Sequence, residues 1–93
     1  MRKVIHKYEI PPPDPTTKLS VVELPLIYEL LHVGAQGTKL WLWAAVEVRQ
    51  MDIASVSFKV VGTGEAFISS SWQHLGTALM DGGSLVWHVF RER

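Results

Sequence analysis

The 93 residues, with nine Lys and Arg set against nine Asp and Glu and no cysteine, suit one domain spanning 1–93; a chain this short cannot divide its core between two stable units. A 47% hydrophobic and 19% charged composition belongs to a globular chain rather than a disordered one. Charge balance removes the simplest case for nucleic acid or an anionic membrane as partner, and the lack of cysteine excludes disulfides, thiolate nucleophiles and cysteine-ligated metal.

In chain order, Val4, His6, Tyr8 and Ile10 alternate with Lys3, Ile5, Lys7 and Glu9, the period of a half-buried strand. Pro11-Pro12-Pro13-Asp14-Pro15 ends it as a stiff connector without ladder donors. Leu19 to Leu24 forms a second strand, stopped by Pro25. Leu26 to Val33 reads either as a two-turn helix opened by Pro25 and closed by Gly34, or as a strand entering a hairpin at Gly34-Ala35-Gln36-Gly37; the strand is favoured because eight residues are few for a helix.

Thr38 to Val48 is the strongest strand. Leu40, Leu42, Ala44 and Val46 face one way, while Lys39, Trp41, Trp43, Ala45 and Glu47 face the other. Both rows carry large apolar groups, so the strand is central or its tryptophan face meets a partner. Arg49-Gln50-Met51-Asp52 is a polar connection. Ala54 to Val61 follows, with Ala54, Val56, Phe58 and Val60 inward. Gly62-Thr63-Gly64 breaks that strand and Glu65 to Ser71 is a loop. His74 to Met80 and Leu85 to Phe90 form a terminal hairpin around Asp81-Gly82-Gly83. Six to seven short strands predict an all-β antiparallel sandwich or a partly open barrel.

Chemical motifs are sparse. His6, His32, His74 and His88 have no metal-ligand spacing, so no metal and no cofactor are expected. Gly62-Thr63-Gly64-Glu65 lacks the ending of a phosphate loop and reads as a turn. Ser69-Ser70-Ser71-Trp72-Gln73-His74 has no nucleophile elbow, and no acidic pair suits glycoside hydrolysis. A non-enzymatic protein is expected.

Tryptophan is the compositional anomaly, with Trp41, Trp43, Trp72 and Trp87 in so short a chain. Large aromatics help a small domain bury area, and they also anchor interfaces and stack on bases. Both readings stay open for Trp41 and Trp43. Trp87 is assigned to the core, and Trp72 is placed in a Ser-rich loop. The candidate binding residues are therefore Trp41, Trp43, Trp72, Lys39 and Glu47.

Several segments in order resemble a family of short, functionally unassigned proteins from tailed-phage and prophage genomes. They are Ile5-His6-Lys7-Tyr8-Glu9-Ile10, Glu23-Leu24-Pro25, Leu42-Trp43-Ala44 with Val46, Phe58 through Gly62-Thr63-Gly64, His74-Leu75-Gly76-Thr77, and Leu85-Val86-Trp87-His88-Val89-Phe90. Members of that family often carry His after Gly-Thr-Gly, where this chain has Glu65. The resemblance implies an accessory protein of phage type and brings no catalytic residues.

Two function classes follow. One is an antagonist of a bacterial defence system that occupies the surface of a host protein. The other is an oligomeric sponge for a nucleotide signal, stacking the base on Trp or Tyr with phosphates held by Arg2, Lys3, Lys7 or the glycine turn. No signal-peptide core is visible, and the apolar run 40–46 is far below the roughly 20 residues of a spanning helix, so the cytoplasm of a host cell is expected and no membrane association is.

Overall fold

Alternating apolar and polar residues, punctuated by Pro, Gly and Asp, become seven strands among the described residues of this computed structural model, which are 2–49 and 51–93. The strands are β1 (Lys3–Ile10), β2 (Ser20–Pro25), β3 (Tyr28–Gln36), β4 (Lys39–Glu47), β5 (Ile53–Gly62), β6 (Trp72–Met80) and β7 (Leu85–Glu92). They form two antiparallel sheets, ordered β1-β4-β3 and β2-β5-β7-β6. The fold is a two-layer sandwich of three and four strands, not a closed barrel.

The ambiguous segment 26–33 is a bend at 26–27 followed by strand, and it runs on through Gly34, which lies within β3 and not in the turn. The hairpin turn is the pair Gly37-Thr38, where Gly37 takes φ 64°. A glycine in the first position of a two-residue loop matches the right-handed twist of the flanking strands. Trp72, expected in a loop, opens β6 instead. The polar connection 49–52 includes Gln50, which lies outside the described residues.

β1 hands over to β2 across the sandwich through the proline run. Asp14 Oδ1 accepts from the N–H groups of Thr16 and Thr17 at 2.7 and 3.1 Å, making the turn. Ser20, buried at the start of β2, donates its hydroxyl to the Pro11 carbonyl at 2.6 Å. That bond pins the entry of the second sheet to the exit of the first.

The core lies between the sheets. β4 contributes Leu40 and Leu42, β5 Phe58, β2 Val22 and Leu24, β3 Val33, β7 Val89 and β6 Ala78. Full burial of a Leu or Phe side chain contributes about 1.5–3 kcal/mol, so Leu24, Leu42 and Phe58, each fully buried, are among the largest individual contributors.

Two β-bulges interrupt the ladders, both on strands at sheet edges. In β3 the pairing jumps from Leu30–Ala44 to His32–Trp43, leaving Leu31 as the extra residue. In β6 it jumps from His74–Phe90 to Gly76–Val89, leaving Leu75. Each bulge switches which residues face inward. The edges of β3 and β6 then meet across the sandwich, with Gly76 against Val33.

Candidate functional site

β4 is the centre of the three-stranded sheet, and strict alternation separates its two rows. Leu42 and Ala44 are fully buried, whereas Trp41 and Trp43 stand on the opposite, solvent side and are half-buried. The rings do not share the interior with Leu40 and Leu42. Register brings four more residues onto the same outer face: Glu9 and Gly34 flank Trp41, and Lys7 and His32 flank Trp43.

Long side chains cross this face laterally. The Lys7 ammonium sits 4.2 Å from the Trp41 ring centroid and donates to Gln36 Oε1 at 2.7 Å, spanning from β1 over β4 to β3. Lys39 lies 3.4 Å from Glu9, and Lys3 lies 3.8 Å from Glu29. These ion pairs are exposed and contribute little to stability. His32 packs its ring 5.6 Å from that of Trp43. Gly34 keeps the space beside them, since a Cβ there would stand 3.3 Å from His32 Nε2 and 3.5 Å from the Trp43 ring.

Two polar atoms on this face are screened from solvent and have no hydrogen-bond partner among the described residues: Trp41 Nε1 and Glu47 Oε2. A buried donor or acceptor left unmade costs about 1–3 kcal/mol, so this face holds two polar atoms at a cost to the fold. Of the expected site residues, Trp41, Trp43, Lys39 and Glu47 therefore share one surface. Trp72 does not. It sits on the outside of the other sheet, with the Lys59 ammonium 5.8 Å from its ring. His32 was not legible as a member of the tryptophan face, because without the bulge at Leu31 alternation would have turned it inward.

The outer side of the four-stranded sheet carries a second arrangement. Segment 63–71 folds back over it, with the Phe67 ring 4.8 Å from that of Phe90. Beneath, hydroxyls and imidazoles form a chain: Thr63 Oγ1 to His88 Nε2 at 2.9 Å, His88 Nδ1 to Thr77 Oγ1 at 3.1 Å, and Thr77 Oγ1 to His74 Nε2 at 3.1 Å. One proton per hydroxyl and per neutral imidazole satisfies every link in a single direction. Among the described residues, no three His, Asp or Glu side chains converge as metal ligands. The Gly62-Thr63-Gly64 turn is closed by the side chain that follows it, since Gly62 N–H donates to Glu65 Oε1 at 3.1 Å. The position an anion would take is thus filled by a carboxylate.

Trp87 faces inward and lines a cleft of about 640 Å³ at one end of the sandwich, with Ile10, Leu40, Val60 and Met80. The structure thus agrees with its assignment to the core, at the core's open end. No helix of the described residues is long and apolar enough to cross a membrane.

The family described as a domain of unknown function, DUF7352, matches residues 1–93. The chain belongs to that family. No curated protein and no solved structure matches it. The DUF7352 match covers all seven strands, so both outer faces lie inside the family's domain.

Proposed function

We propose that this chain is a non-catalytic binding protein that recognises another protein through the outer face of β1-β4-β3. One observation carries the reading: Trp41 and Trp43 project from the central strand away from the packed interior. Half-exposed indoles at the centre of a sheet, ringed by charged side chains, have the composition of an interface hot spot and its rim. Lys3, Lys7 and Lys39 are matched by Glu9, Glu29 and Glu47, a neutral pattern better suited to a protein than to a polyanion.

The ordered resemblance to phage and prophage proteins supports a finer reading, in which the partner is a bacterial defence protein whose surface this chain covers in the cytoplasm. The nucleotide-sponge alternative draws less support, because the Lys7 ammonium already occupies the Trp41 ring face on which a base would stack.

Affinity capture from bacterial lysate with the wild type, Trp41→Ala and Trp43→Ala, beside thermal melts of each, tests the reading. A protein retained by the wild type and lost from folded variants supports it. Equal retention by all three overturns it, as does unfolding of both variants.

A further inference from the structure

We infer that two copies of this chain pair through their β1 strands, antiparallel, about a twofold axis at His6. This inference is independent of the tryptophan face. It starts from the four sheet edges. β3 and β6 each carry a bulge and meet one another. β2 is six residues long and ends in Pro25. β1 has eight residues, no proline and an unbroken register with β4. Bulges, prolines, short length and charged side chains keep an edge from pairing; β1 has only the last, Lys3 and Lys7, and the carboxylate of Glu9 can answer one of them across a twofold axis.

The first five residues of β1 are also uncovered on both faces. Residues 3–7 are all exposed, with Val4 at 37% on the inner row and Ile5 at 60% on the outer. The backbone alternation says which groups are free. Val48 N–H donates to the Arg2 carbonyl, so the even-numbered residues of β1 bond to β4. The N–H and C=O groups of Lys3, Ile5, Lys7 and Glu9 consequently point along the open edge.

The sequence of the strand selects the occupant and the register. Pairing Lys3 with Glu9 of a second copy sets Ile5 opposite Lys7, Val4 opposite Tyr8 and His6 opposite His6. Opposite charges meet twice, once on each side of the axis, and every edge-facing residue from 3 to 9 gains a backbone partner. Shifting the register by two residues one way sets Lys3 opposite Lys7, and the other way sets Lys7 opposite Lys7; like charges then face each other. The dimer would carry one six-stranded sheet, β3-β4-β1 joined to its twofold mate, with both tryptophan pairs on the same side.

Sedimentation equilibrium of the full chain at micromolar to submillimolar concentration tests this, with Lys3→Glu, Glu9→Lys and an equimolar mixture of the two. The wild type is expected to dimerise, and each variant alone to weaken association by about tenfold or more, because like charges then face each other at both ends of the new ladder. The mixture is expected to regain association as a heterodimer, since one copy then presents two carboxylates at these positions and the other two ammonium groups. Ile5→Pro, which removes an edge-facing N–H without touching the β4 ladder, is expected to give a folded monomer by circular dichroism and sedimentation. A wild type that stays monomeric throughout overturns the inference. So does a dimer indifferent to all three substitutions, or a mixture that fails to reassociate when both variants are folded.

Discussion

A methyl group on Gly76 would stand 2.5 Å from Cγ2 of Val33. The two sheets approach so closely at this seam that no side chain fits between β6 and β3, and the bulge at Leu75 is what presents the glycine there. Gly76→Ala is expected to destabilise the fold by about 1–3 kcal/mol through overpacking. Adding Val33→Ala should recover part of that loss, because the clash partner is removed. Urea denaturation of the two single variants and the double variant measures the coupling.

The two rows of β4 predict opposite responses to truncation. Leu42→Ala removes a fully buried side chain and is expected to cost about 2–5 kcal/mol. Trp43→Ala, on the half-exposed row, should cost less and keep a single cooperative transition. Chemical denaturation of both variants side by side decides the order.

Much of this was legible beforehand because β4 obeys a strict period of two. Leu40, Leu42, Ala44 and Val46 on one side and Trp41, Trp43 and Glu47 on the other follow from alternation alone, as do the all-β class and the terminal hairpin. What alternation could not supply is where it fails. The bulges at Leu31 and Leu75 are set by twist and by packing between edges that meet only in the folded molecule, and they reassign His32, His74 and Gly76. Trp72 was misplaced for a related reason: its polar neighbours Ser69, Ser70 and Ser71 read as loop, whereas pairing with Glu92 draws it into β6.

Thr77 links two imidazoles, so loss of its hydroxyl breaks two of the three links in the threonine–histidine chain. Thr77→Val is expected to leave the sheet intact while freeing His74 and His88 to change tautomer. The imidazole ¹⁵N shifts of both residues, compared between wild type and variant, are the measurement. Faster amide exchange in 63–71 should accompany the change, as Thr63 is held by the same His88.

Asp14 gives a pH signature. Backbone N–H donation from Thr17 and then Thr16 lowers its carboxyl below the ordinary 3.8. The unfolded chain then binds the proton more readily, so the stabilisation is present above that value and is lost as the pH falls through and beneath it. The difference in melting temperature between wild type and Asp14→Asn is expected to shrink across that acid range. Thermal melts from about pH 6 to about pH 2.5 follow it.

The sandwich is joined unequally along its two long sides. β3 and β6 interlock at Gly76 and Val33, whereas β1 and β2 meet far less extensively. Like a bound volume, the molecule has a spine and a fore-edge, and thermal fluctuation opens such an object from the fore-edge. The strands expected to part first under force, protease or mild denaturant are therefore β1 and β2, with the remaining layers held by their spine until the cooperative transition.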